Sequence, residues 1–345
     1  MRNPEEHLIS PTTWQFWTRF QDIARPFEPR PLWNVKDRDM KSREGSNQDS
    51  VSGKRQEPGD ADYRMLAIDL DGTLLRHDGT MGERTRGALR AAVRRGIKVA
   101  ICTGRRFRTT LPILAELQLA VPVIVHGGQL IKDAGTHETL HHNYLTQELS
   151  LGAVKFLKAH GVAPIVYVDL FTQGIDIYLD NERDGHPFHL KYLEQNRSHC
   201  HFVGDVTNIF CPQTIHVGAL ADRASLERLD DRLEREFGSS IRHLVMNNTN
   251  NDGAFLEIMT PGNSKWRALA VLIEKSGLTP EQVVCIGDEI NDLEMIRHAG
   301  LGVAMGNAIP AVKAVAAYVT RTNEEDGVAH VVEQFLLKET EDDPA

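Results

Sequence analysis

Asp69 and Asp71 stand one residue apart at the end of the apolar run MLAIDLDGTLL. Three other stretches carry residues of related chemistry: Thr103, Gly104 and Arg105 after KVAIC, Lys265 in NSKWRAL, and Asp288, Glu289, Asn291 and Asp292 after VVCIG. Each falls where an apolar segment ends or a helix starts. Ligands in open parallel sheets bind beyond the carboxyl ends of the strands, so these residues are expected on one rim. Carboxylates gathered there repel one another and lose solvation, and therefore call for a cation. With oxygen ligands and no His or Cys among them, the expected ion is Mg²⁺. Mg²⁺ held by few carboxylates keeps room for water and a phosphate oxygen, so the set is suited to a phosphoryl group. Thr103, the backbone N–H groups of glycine turns such as that at Gly104, and the Lys265 ammonium would donate to the remaining phosphate oxygens. Ordinary structural readings compete. Asp-Gly is common turn chemistry, and Asp292 fits a helix cap. Lys265 at a helix start opposes the dipole, which favours a functional reason for it.

The elements that must position these residues follow from the apolar pattern. MLAIDL is a continuous apolar strand of the kind buried on both faces in a parallel sheet. Residues 83–95 carry Leu89, Ala92 and Val93 at helical spacing and stop at Gly96. The strand IKVAICTGR, a helix through Leu111–Leu117 and the strand VPVIVHGG follow, an alternation that predicts a doubly wound parallel sheet. From about residue 136 to 251 the rhythm changes to strand-like pieces (APIVYVDL, GIDIYLD, TIHVGAL, RHLVMNN) with helices at 146–159 and 222–237. AFLEIM then leads into a helix at 264–276, and VVCIGDEIND, LGVAMGNA and AYVTRT resume the first rhythm before a last helix at 326–337. The expected organisation is an α/β core over 63–135 and 252–338, an inserted α+β domain over 136–251, a polar extension over 1–62 and an acidic tail over 339–345.

DLDGT, ICTGR, NSKWRAL and GDEINDLEM, in that order and with a large insert between the second and third, resemble the four motifs of the haloacid dehalogenase (HAD) superfamily, type IIB, the Cof-like phosphatases. The resemblance spans roughly residues 64–337. It implies a HAD-type doubly wound core with a C2B cap, and hydrolysis of small phosphate monoesters, with sugar phosphates favoured. It further implies Asp69 as the nucleophile that forms an aspartyl-phosphate and Asp71 as general acid and then base. Mg²⁺ would be held by the Asp69 carboxylate, the Asp71 main-chain carbonyl and Asp288, with Asp292 in support. Thr103 and Lys265 would hold phosphoryl oxygens, and Asn291 would touch phosphate or anchor its loop. One departure is that His126-Gly127-Gly128 stands where many type IIB members read NGA, which replaces a substrate-facing Asn with a residue expected to titrate near neutral pH. The implied cap would close by hinging near 133–136 and 251–253.

Composition narrows the alternatives. The 345 residues carry a formal net charge of -9 and 41% hydrophobic side chains, which argues against a nucleic-acid partner and suits a soluble, cytoplasmic protein; the partner the resemblance implies is a small phosphorylated metabolite. No apolar stretch is long enough to span a bilayer. Cys102, Cys200, Cys211 and Cys285 lack CxxC spacing, and Cys102 and Cys285 are expected as core hydrophobes. His186, His189, His199, Cys200 and His201 do not fit a structural zinc pattern. Trp14, Trp17 and Phe20 or Gln21 fall at helical spacing in the extension, so a short helix there could dock on a partner, pack on its own body or be incidental. Two other functions stay open: a phosphotransferase or phosphomutase of the same superfamily, and a phosphate-ligand-binding protein without catalysis. A signalling receiver domain, about 120 residues long, has no room for the insert.

Overall fold

The structure is a computed structural model, in which residues 62–183, 185–247 and 253–337 are described. The Trp14–Phe20 helix and the 339–345 tail lie outside them. In chain order the strands are β1 (Met65–Ile68), β2 (Lys98–Cys102), β3 (Pro122–Val125), β4 (Leu130–Asp133), β5 (Thr139–His142), β6 (Ile165–Leu170), β7 (Ile175–Leu179), β8 (Cys200–Phe202), β9 (Thr214–Ala221), β10 (Arg242–Asn247), β11 (Ala254–Met259), β12 (Val283–Gly287), β13 (Leu301–Ala304) and β14 (Tyr318–Val319).

Eight of them form one sheet in the order β14-β13-β12-β1-β2-β3-β4-β5. The six strands from β14 to β3 are parallel; β4 and β5 add an antiparallel edge. All four residues of β1 and all five of β12 are buried, because helices cover both faces of a parallel sheet. From β1 the chain winds one way through β2 and β3 and, after the insert, the other way through β12 to β14. The strand order therefore reverses between β1 and β12, where such sheets leave a crevice.

The remaining strands form a second sheet, β10-β11-β9-β6-β7-β8. One face, with Val166, Val217, Ala219, Leu256 and Ile258, packs with Ala153, Leu157, Leu226 and Leu233 from the helices Gln147–Ala159 and Arg223–Phe237. Side chains alternate along a strand, so the other face presents Tyr167, His216, Phe255 and Glu257.

The sheets divide the chain later than expected at both crossings. Thr139–His142 pairs with β4 as the edge of the larger sheet, eight-stranded in consequence, so the first core segment runs past 135. Its polar sequence hid it, since an edge strand need not alternate. AFLEIM belongs to the smaller sheet, where β11 pairs antiparallel with both β10 and β9. Gly253 accordingly follows a β10–β11 connection inside that sheet, not a hinge between sheets; the crossings are the stretches after His142 and after Met259. The helix Pro187–Asn196, also unanticipated, starts with Pro at its first turn and with His186 Nδ1 accepting from Phe188 N at 3.3 Å. Among the described residues no helix is long and apolar enough to cross a membrane.

Candidate active site

The register of the central strands brings the candidate residues to one rim. Ile68 lies level with Ile286 of β12 and Ile101 of β2, so Asp69, Gly287 and Cys102 follow side by side. Asp69 N donates to Ile286 O at 3.1 Å, which fixes the aspartate directly off the strand. Gly72, at φ +77°, then turns the chain away, and a Cβ there would collide with the Asp288 carboxylate. Thr73 Oγ1 donates to Asp288 Oδ1 at 2.8 Å.

Lys265 opens the helix Lys265–Lys275, whose first turn is capped by Ser264 Oγ accepting from Arg267 N. Its ammonium is 1% exposed and donates at 2.6 Å to both Asp69 Oδ1 and Asp292 Oδ1. Asn291 Oδ1 lies 3.4 Å from the same nitrogen. The other oxygen of Asp292 accepts from the backbone N–H of Asp288 and Glu289 at 3.0 and 3.1 Å. Asp292 thus closes the Asp288–Glu289 turn and pairs with Lys265; it makes no side-chain cap bond to the helix Leu293–His298 that it precedes. Gly287 is required beneath it, because a Cβ would strike its carboxylate.

Carboxylate oxygens of Asp69, Asp288 and Asp292 lie within 4.8 Å of one another. With all three ionised, one ammonium leaves two negative charges uncompensated. Burial pushes the Asp69 carboxyl up, with Asp292 and Asp288 adding to the rise and Lys265 opposing it. Burial likewise pushes Asp288 up to about 6, against the hydrogen bond from Thr73. Burial works against the Lys265 ammonium, but Asp292 and Asp69 outweigh it and hold its pKa above the ordinary value. The donor set, all oxygen and short of positive charge, fits a divalent cation. Asp69 Oδ2 and Asp288 Oδ2 make no hydrogen bond with a described residue, whereas both oxygens of Asp292 are engaged.

Asp71 is paired with a residue outside this cluster. Half-exposed, it accepts from Arg105 through both oxygens, Nε to Oδ2 at 2.8 Å and Nη2 to Oδ1. Thr103, at the neighbouring strand end, is buried, and its hydroxyl oxygen accepts from Arg105 N at 3.1 Å; Gly104 is exposed in the turn beside it. Five of the expected residues (Asp69, Lys265, Asp288, Asn291, Asp292) therefore meet directly, with Asp71, Thr103 and Gly104 at the margin. Thr73 and Arg105 lie within DLDGT and ICTGR, but only the structure pairs them with Asp288 and Asp71.

His126 does not titrate near neutral pH. It is buried, and burial, reinforced by the charges of Arg106 and Lys132, lowers its pKa to about 3. Its loop is wedged between two parts of the site. His126 N donates to Arg105 O at 3.0 Å, Gly127 N to Thr103 O at 3.1 Å, and Gly128, at φ +109°, lies so close to the Ser264–Lys265 backbone that a Cβ would not fit.

Comparison with known proteins agrees with this geometry. The family model for haloacid dehalogenase-like hydrolases matches residues 66–332. The 5-amino-6-(5-phospho-D-ribitylamino)uracil phosphatase YcsE of Bacillus subtilis is 30% identical over 279 residues, 81% of this chain and 98% of that protein. The pyridoxal phosphate phosphatase YbhA of Escherichia coli is 29% identical, over 79% and 99% of the two chains. The crystal structure of a haloacid dehalogenase-like hydrolase from Bacteroides thetaiotaomicron matches with a TM-score of 0.67 at 30% identity, covering 79% of this chain and 98% of that one. Four motifs in order, converging on one rim of a doubly wound sheet and matched along nearly the whole length of these relatives, place the chain in the haloacid dehalogenase-like hydrolase family, type IIB.

Proposed function

We propose that the protein is a Mg²⁺-dependent phosphatase that hydrolyses small phosphate monoesters, sugar phosphates in the first place, through an aspartyl-phosphate. The observation that carries this reading is the buried Lys265 ammonium shared between Asp69 and Asp292, with Asp71 two residues beyond Asp69. The phosphatase relatives support the reaction class.

Asp69 and Asp288 would hold the ion through their free oxygens, with Asp292 supporting them through Lys265 and the loop backbone. When bound, the ion supplies positive charge to the carboxylates and to the phosphoryl oxygens. Asp69 attacks phosphorus, the ester P–O bond breaks, and Asp71 gives its proton to the departing alkoxide. Asp71, now a carboxylate, takes a proton from water as that water attacks the aspartyl-phosphate, which returns Asp69 and releases inorganic phosphate. Lys265 keeps Asp69 oriented and offers donors to the charge developing on phosphorus. A carboxyl that acts as an acid carries its proton on one oxygen, so the two-pronged Arg105 pair must open during turnover.

The test is phosphate release from a panel of small esters, with and without Mg²⁺, for the wild type and Asp69→Asn. Mg²⁺-dependent release that disappears in the variant is expected. A wild type that accumulates the phosphorylated form without releasing phosphate overturns the reading in favour of transfer to another acceptor. Binding of esters without any cleavage would favour a ligand-binding protein.

A further inference from the structure

The smaller sheet turns a polar, aromatic face toward the larger body. His216 of β9 pairs across the ladder with Tyr167 of β6, and Glu257 of β11 lies opposite Gly218, two residues from His216. These side chains therefore share a face with Phe255. The Tyr167 ring lies 4.3 Å from that of His216 and 6.0 Å from that of Phe255. Gly218 leaves room for this, since a Cβ there would press on both Phe255 and Tyr167. From the larger body, the His126 ring comes within 5.1 Å of His216, and the His126 loop is the one bonded to Thr103 and Arg105.

This face is short of partners. His216 is 1% exposed, and neither of its ring nitrogens has a hydrogen bond; His126 Nδ1 also has none. The Glu257 carboxylate, buried as well, accepts no hydrogen bond from a described residue. Buried polar atoms are nearly always paired, so three unpaired imidazole nitrogens on one face beside a candidate active site call for an explanation. The nearby cations are already committed. Arg106 donates to Asp176 at 2.9 Å and to Asn196, and Lys132 donates to Asp169 and Thr139 at 2.8 Å.

We infer that His216 and Glu257, with His126, form the subsite for the leaving group, and that they select an uncharged, multiply hydroxylated one. This deepens the phosphatase reading and rests on it. Hydroxyl groups both donate and accept, so they satisfy a carboxylate and imidazole nitrogens together. Sugar rings and polyol chains also lie well against aromatic faces. A second anionic group would meet Glu257, and the cation on the same face, Arg242, already donates to Asn263 O and lies 3.9 Å from Glu294. Burial raises Glu257 to about 7, against the influence of Arg242, and lowers His216 well below its ordinary value; a neutral imidazole can accept as well as donate.

The experiment compares kcat/KM for three probes: sorbitol 6-phosphate, 6-phosphogluconate, which carries a carboxylate where the first carries a terminal hydroxymethyl, and phenyl phosphate, which has no hydroxyls. At a pH above 8, where Glu257 is ionised, the wild type should prefer sorbitol 6-phosphate to 6-phosphogluconate by about a hundredfold, as expected of a site with unanswered negative charge. In His216→Phe the ratio of sorbitol 6-phosphate to phenyl phosphate should fall by about tenfold, and in Glu257→Gln the discrimination against 6-phosphogluconate should shrink by a similar factor. A wild type that accepts both C6 esters equally, or ratios unchanged within about twofold in both variants, overturns the subsite. If the wild type cleaves none of the three, the phosphatase reading fails and the subsite is judged separately by thermal unfolding. A larger rise in Tm with sorbitol 6-phosphate in the wild type than in His216→Phe then supports it, and equal rises overturn it.

Discussion

Lys265 answers two carboxylates from a position that excludes water. Lys265→Met would leave Asp69, Asp292 and Asp288 without their cation, and should cost about 3 kcal/mol or more in metal-free buffer, read by urea unfolding. Phosphate release should fall by about a hundredfold or more. Added Mg²⁺ should recover part of the lost stability, because ion binding favours the folded state, but should not restore the rate. A variant as stable and as active as the wild type would show that the ammonium is dispensable. Glu257 has an unfolded-state pKa near 4.5 and a folded-state pKa of about 7. The raised value means that its protonated form is favoured in the fold. The corresponding stability is complete below about pH 4.5 and disappears as pH rises through 7. At 1.36 kcal/mol per unit the difference is about 3 kcal/mol at most. Glu257→Gln should therefore match the wild type in stability at pH 4 and exceed it at pH 8; equal pH dependence of the two would mean that Glu257 is not desolvated.

At the scale of elements, the site depends on turns that only glycine can make. Gly72 combines a positive φ with contact against Asp288, so Gly72→Ala should both strain the turn, by about 1–3 kcal/mol, and displace a candidate metal ligand. The expected outcome is a Mg²⁺ affinity at least about tenfold weaker, measured by titration calorimetry, with far-ultraviolet circular dichroism unchanged. Unaltered affinity would show that the Asp288 loop can shift without loss. Gly128 has the same function for the His126 loop, where a side chain would push on the backbone that starts the Lys265 helix.

At the scale of the whole molecule, ion pairs at two places tie the sheets together. Lys132 of β4 meets Asp169 of β6, which also accepts from Tyr144 at 2.7 Å. Arg106 and Arg108, at the start of the helix Phe107–Leu117, both meet Asp176 of β7. The first pair lies beside the crossing after β5, the second farther out along the smaller sheet. Asp176→Asn would leave Arg106 buried without a counter-charge, which commonly costs about 3–5 kcal/mol when one partner is removed. Because this contact joins the two sheets, part of the loss should appear as local separation of them. KM should rise severalfold, and the crossings near residues 143–146 and 260–264 should become more sensitive to proteolysis. Unchanged KM and cleavage would mean that Asp176 plays no part in seating the smaller sheet.

The candidate site was legible because it is local. Asp69 and Asp71 are one residue apart, Thr103 follows an apolar strand, and Asp288, Asn291 and Asp292 share one turn, so a linear pattern with known strand ends contains most of the candidate site. The alternation of apolar strands and helices likewise indicates a doubly wound parallel sheet, though not the order of its strands. What depends on distant pairing could not be read. The polar edge strand β5 and the membership of AFLEIM in the smaller sheet are decided by partners far along the chain. So is the state of His126, whose sequence context gives an ordinary imidazole but whose burial beside Arg106, Lys132 and His216 keeps it neutral. The two-pronged pairing of Asp71 with Arg105 exists because β1 lies beside β2, and the unpartnered polar face of His216 and Glu257 because the two sheets meet: solvation and charge there are properties of the assembled fold, not of any segment.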